Sequence, residues 1–266
     1  MGFQSDSEKT TARESAESET VDLNDYYFLR NAGDENFQPR AQQIWSEYLN
    51  NELRSRTPLI IMIGGSSAVG KSSLTIEMAK LFGIRAIVGT DMLRHTIATG
   101  CSDVPKTLSL FSHECWKAVS TQYSAKSLIE GFQKQCWDLF PAIRGACEHS
   151  VRHVQNTLIE GVHLIPELVQ ELGKVVPGHI VPIYIVSSTE RLKSLLIPKR
   201  TRSTYMHRSA SEYGERLGRL SALAEWWSQE LQSRGVRFIE NDEAPRQLLA
   251  RAVSEVFTQL VEPKAG

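Results

Sequence analysis

The chain reads as an α/β protein built on a five-stranded, mainly parallel sheet covered by helices on both faces. Three observations predict this. The apolar run at residues 59–63 leads into a glycine-rich loop of the form G-x-x-x-x-G-K-S. Strand-like and helix-like stretches alternate from there to the C-terminus, the pattern of parallel strands joined by helical crossovers. At 266 residues and 41% hydrophobic content, the chain suits one sizeable core with extensions.

Residues 1–22 are rich in Ser, Thr and Glu with almost no large apolar side chain, which predicts a mobile tail that cannot repay the entropy of ordering. Residues 23–58 form an extension that reads as helical from 41 to 53, with Ile44, Trp45 and Tyr48 available to pack. The phosphotransfer unit expected from the loop spans 59–262. Its first strand is Leu59-Ile60-Ile61-Met62-Ile63, and its first helix places Leu74, Met78, Leu81 and Phe82 on one side before Gly83. A second strand is expected at 85–89, helices at 107–121 and 124–150, and a third strand at 157–159 closing on Glu160-Gly161. The fourth strand, 180–186, carries Pro182, which argues for an edge or a strand start. A fifth follows at 236–239. Further helices are expected near 166–173, 189–196, 212–233 and 244–261. In such a sheet ligands gather at the carboxyl ends of the strands.

The formal net charge of −1 gives no reason to expect nucleic-acid binding, and no stretch approaches the roughly 18 apolar residues of a membrane helix. The N-terminus lacks the basic-then-apolar order of a signal peptide. Cys101, Cys115, Cys136 and Cys147 show neither C-x-x-C pairing nor zinc-like spacing, so free thiols in a reducing, cytoplasmic setting are expected. The sequence leaves the oligomeric state open.

The loop Gly64-Gly65-Ser66-Ser67-Ala68-Val69-Gly70-Lys71-Ser72-Ser73 carries the ligand prediction. Its glycines let the backbone wrap a phosphate chain, and its amides and the following helix N-terminus supply partial positive charge. Lys71 reaches the outer phosphates and the Ser72 hydroxyl suits Mg²⁺. ATP or GTP with Mg²⁺ is therefore the expected ligand. No N-K-x-D base-reading motif of a GTPase is present. Instead the second strand ends in Gly89-Thr90-Asp91, with Arg94 one helical turn on. A carboxylate to orient an acceptor hydroxyl and a guanidinium to hold an anionic substrate suit phosphoryl transfer to a hydroxyl; the simpler alternative makes Asp91 a helix cap.

Residues 191–219 concentrate Arg191, Lys193, Lys199, Arg200, Arg202, Arg208, Arg216 and Arg219. With Pro198 ending a helix and no apolar stripe over 201–211, a lid at about 198–211 is expected to carry Arg200 toward the nucleotide, Arg202 toward the developing charge and Arg208 toward the substrate. Arg216 and Arg219 are read onto the next helix. The competing reading is a solvated basic face.

Here the motifs resemble a known family. Ile61 through Ser73, then Ile84-Arg85, Gly89-Thr90-Asp91 with Arg94, and Leu158-Ile159-Glu160-Gly161-Val162-His163-Leu164-Ile165-Pro166 look like the archaeal-type 2-phosphoglycerate kinases. Gly131-Phe132-x-x-Gln135 resembles that family's helical insert. The resemblance covers about residues 59–242 and implies a P-loop kinase moving the γ-phosphoryl group of ATP to the 3-hydroxyl of 2-phosphoglycerate. The family usually has Gly where this chain has Ala68 and Thr where it has Ser73. Within this pattern Glu160 is placed to meet Mg²⁺ or a substrate hydroxyl, and His163 either to contact a phosphate or carboxylate or to serve as a satisfied structural histidine at a turn. The expected partner is a small anionic phosphate acceptor. Rival acceptors are a nucleotide sugar, an antibiotic or a polynucleotide hydroxyl, and a rival of another class is a slow nucleotide-binding switch.

Overall fold

The computed structural model describes residues 57–188, 190–191, 194, 210–241 and 245–261. The tail, the helix expected at 41–53 and the lid from 198 to 209 lie outside them; residues 210 and 211 already belong to a helix. The elements run β1 (Leu59–Gly65), α1 (Lys71–Leu81), β2 (Ala86–Gly89), α2 (Thr90–Gly100), 3₁₀ turns at Lys106–Ser109 and Ser112–Ala118, and α3 (Ala125–Arg152). There follow β3 (Thr157–Glu160), α4 (Pro166–Val175), β4 (His179–Val186), α5 (Ala210–Ser233), β5 (Ile239–Glu240) and α6 (Pro245–Val261).

The five strands form one sheet in the order β2-β3-β1-β4-β5, and every pairing is parallel. Alternation along β1 divides the core. Leu59, Ile61 and Ile63 pack with Leu74 and Met78 of α1 and with Val253, Val256 and Phe257 of α6. Ile60 and Met62 face the other way, onto Phe132, Leu139 and Ile143 of α3, Leu168 of α4 and Trp227 of α5. Both faces are buried because a parallel sheet needs crossovers on both sides. All four cysteines are free, and Cys115, Cys136 and Cys147 are buried.

Three expectations need correction. Residues 107–121 do not form an α-helix but two 3₁₀ turns, because side chains from elsewhere take the carbonyls that an α-ladder would use. Gln135 Nε2 donates to Thr107 O (2.6 Å) and Leu110 O (2.9 Å), and an Arg94 guanidinium nitrogen donates to Leu108 O (2.8 Å). Second, β4 lies inside the sheet rather than at its edge, with Pro182 opposite Met62. The proline is tolerated because β5 pairs only at Ile185 and Val186, so the side of β4 facing away from β1 is unpaired at residue 182. There Gln259 Nε2 donates to Pro182 O at 2.8 Å. Third, β5 is only Ile239–Glu240, shorter and later than expected.

Candidate functional site

The loop after β1 is shaped by backbone that side chains resist. Gly65 has φ +136°, and a Cβ there would sit 2.0 Å from Ile185 O; Gly70 has φ +93° and forms the N-cap of α1. Between them Ala68 takes φ 65°, a left-handed conformation that costs an alanine about 1 kcal/mol relative to a glycine. No side chain caps α1, which leaves its first-turn amides and dipole directed at the concavity of the loop. Lys71 is 7% exposed, and its Nζ donates to Ser66 O at 2.6 Å, closing the loop on itself. The Ser66 hydroxyl is buried without a hydrogen-bond partner.

A residue that the sequence reading missed fixes this loop from the far side of the sheet. Asn241, just past β5, donates from Nδ2 to Val69 O at 2.7 Å, and its backbone N–H donates to Val186 O at 2.8 Å. Its amide would lie 3.0 Å from a Cβ at Gly70. The available signal was a polar side chain at the carboxyl end of a strand, where such sheets bind ligands.

The adjacent ends of β1, β3 and β2 bring the other groups in. Ser72 Oγ donates to Glu160 Oε1 at 3.1 Å, so the two oxygens assigned to Mg²⁺ from the sequence meet across the β1–β3 crevice. Gly89 lies beside the same carboxylate, 3.8 Å from its would-be Cβ. Asp91 falls in the first turn of α2, where Gly89 is the N-cap and no side chain caps the helix. The carboxylate is thus not spent on capping; it is 67% exposed and lies 3.6 Å from Arg94 Nε.

Arg94 is more enclosed than the sequence suggests, at 6% exposure. One guanidinium nitrogen is held by Leu108 O, the group stacks over Phe111 at 5.7 Å, and Nε has no hydrogen-bond partner. Of the two readings open for His163, the structure favours the structural histidine over the ligand contact. It is wholly buried, with Nδ1 2.9 Å from Thr90 Oγ1 and Nε2 3.1 Å from Gln135 Oε1. A ring so enclosed does not face a bound phosphate or carboxylate; sequence spacing placed it at the right turn but could not show which way the ring points. Arg200, Arg202 and Arg208 lie outside the described residues. Arg216 and Arg219 lie on α5, where Arg219 pairs with Glu215 at 2.8 Å.

Burial holds the His163 imidazole down at about 4, with Asp91 opposing and Arg94 and Lys71 reinforcing the shift. The unfolded chain takes up this proton near pH 6.5, so between that pH and about 4 the unfolded state binds more protons than the folded one. Stability therefore falls as pH drops through this window. In urea titrations at steps from pH 7 to pH 4, the midpoint of His163→Asn is expected to lie below that of the native chain at pH 7 and to converge on it with acid. A constant gap would contradict the assignment.

No helix among the described residues is long and apolar enough to cross a membrane. No family model matches the chain, but curated proteins do. The 2-phosphoglycerate kinase of Pyrococcus horikoshii is 26% identical over 214 residues, covering 80% of this chain and 69% of its own. That of Thermococcus kodakarensis is 27% identical over 219 residues, covering 82% and 70%. Among solved structures, shikimate kinase from Acinetobacter baumannii aligns at 14% identity with a TM-score of 0.44, covering 76% of this chain and 94% of its own. The chain thus spans about two thirds of the length of these curated relatives, which carry the same name, 2-phosphoglycerate kinase, that the motifs from Ile61 to Pro166 resemble.

Proposed function

We propose that residues 59–262 form an ATP- and Mg²⁺-dependent kinase that transfers a γ-phosphoryl group to a hydroxyl of a small, anionic, 2-phosphoglycerate-like metabolite. The observation that carries this reading is the meeting of Ser72 and Glu160 at the mouth of an uncapped, glycine-shaped phosphate loop, with the exposed carboxylate of Asp91, paired to Arg94, in the helix turn that follows the neighbouring strand. The names of the curated relatives support a phosphotransferase with an alcohol acceptor.

Two adjacent hard oxygen donors, one hydroxyl and one carboxylate, suit Mg²⁺, which keeps several waters and takes few protein ligands. Bound between Ser72 and Glu160, the ion would neutralise charge on the phosphate oxygens. The loop amides from Gly65 to Ser73 and Lys71 hold the β- and γ-phosphates. Asp91 orients the acceptor hydroxyl and accepts its proton, while Arg94 steadies that carboxylate from its buried place and adds positive charge beneath the anionic acceptor. Arg200 on the nucleotide, Arg202 on the transferring group and Arg208 on the substrate complete the proposed charge shell.

The test is turnover at one ATP concentration with 2-phosphoglycerate, glycerate, and uncharged sugars or nucleosides as acceptors, with phosphorylated products identified by mass spectrometry. The doubly anionic acceptor is expected to have the highest kcat/KM. Preference for an uncharged acceptor would move the chain to a different kinase class. Tight nucleotide binding with no phosphorylated product would favour a switch.

A further inference from the structure

The polar chain running through His163 connects parts of the molecule that are far apart in sequence, and its donor count fixes its direction. Gln135 must turn its NH₂ toward the carbonyls of Thr107 and Leu110, since both are pure acceptors. Its Oε1 therefore accepts from His163, so Nε2 carries the proton and Nδ1 accepts from the Thr90 hydroxyl. Ser112 Oγ lies 3.4 Å from the same Nε2. Thr90, Gln135 and His163 are all wholly buried, a setting in which an unmade hydrogen bond is costly. Thr90 directly precedes Asp91 at the start of α2, and Gln135 anchors the 3₁₀ segment beside Arg94.

We infer that His163 is a positioning residue for the acceptor side of the site: through Thr90 it sets the height of Asp91, and through Gln135 it ties Asp91 to the segment at 106–118. The inference rests on the kinase reading of that site. Lys71 Nζ donates to Ser66 O and Ser72 Oγ to Glu160 Oε1, both on the loop side of the crevice, so failure of the polar chain should disturb acceptor use before it disturbs the nucleotide.

Two substitutions in the full chain separate the links. In His163→Asn the side-chain oxygen takes the place of Nδ1, keeping Thr90 and releasing Gln135. In His163→Gln the amide reaches the height of Nε2, keeping Gln135 and abandoning Thr90. His163→Gln is expected to lower kcat/KM for the acceptor by about 10²-fold with KM for ATP unchanged, and His163→Asn by less than about 10-fold. Equal losses in the two variants, or KM for ATP rising in step with that of the acceptor, would show a purely structural histidine. Should the native chain phosphorylate none of the acceptors, the kinase reading fails on its own, and amide exchange still decides the inference. Faster exchange at residues 90–94 in His163→Gln than in His163→Asn, with 72–78 unchanged, supports it; equal exchange at 90–94 in both overturns it.

Discussion

Lys71→Ala is expected to abolish phosphoryl transfer, by roughly 10³-fold or more, while leaving the fold in place. The ammonium is held at the start of α1 with Nζ on Ser66 O at 2.6 Å, so it is already gathered into the loop when phosphates arrive. A positioned charge of this kind stabilises the oxygens that become more negative during transfer without needing to reorganise. The side chain belongs to neither hydrophobic cluster, and Thr75 Oγ1 bonds to the backbone oxygen of Lys71, which alanine keeps. The check pairs steady-state turnover with a thermal melt. Near-native turnover would remove the basis for assigning the loop to phosphate, and a collapsed melting temperature would show that the ammonium is needed to fold the loop.

Asp91→Asn is expected to lower the maximal rate by roughly 10²-fold to 10⁴-fold, the span for loss of a general base, with ATP affinity little altered. Asparagine preserves shape and removes only charge and basicity. Gly89 occupies the N-cap of α2 and no side chain caps the helix, so asparagine removes no capping bond and costs the helix only a surface dipole interaction; the solvent-facing position of the carboxylate leaves it open to an incoming hydroxyl. Arg94, 3.6 Å away, would lose its ionic partner but keep its bond to Leu108 O. Single-turnover rates and nucleotide titrations on the same preparation separate the effects. If nucleotide affinity collapsed while the saturated rate held, Asp91 would be acting on the nucleotide or its metal.

The phosphate loop, the strand-helix alternation and the Asp91–Arg94 pair were legible in the sequence because each rests on contacts within a few residues: glycine conformations, apolar periodicity, one turn of helix. What escaped depends on distant partners. The 3₁₀ path at 106–118 is decided by Gln135 and Arg94, and the role of His163 by Thr90, 73 residues away. Asn241 holds Val69 across 172 residues. Pro182 is an intermediate case: its rule about edges describes the local pairing, but the whole-sheet order was decided by where β5 begins.

The contact between Gly161 and Thr90 has a consequence for how this molecule can change. Gly161 has φ +154°, and a methyl there would lie 1.7 Å from the threonine hydroxyl oxygen and 2.8 Å from its Cβ. No side chain can enter at 161 unless residue 90 gives way, and residue 90 cannot move without carrying its neighbour Asp91. Position 161 is thus closed twice, by its backbone angle and by the threonine, and shrinking residue 90 lifts only the second barrier. A randomised library that varies 161, alone or together with 90, is expected to return glycine at 161, so new placements of the acceptor carboxylate are reached through residue 90 alone.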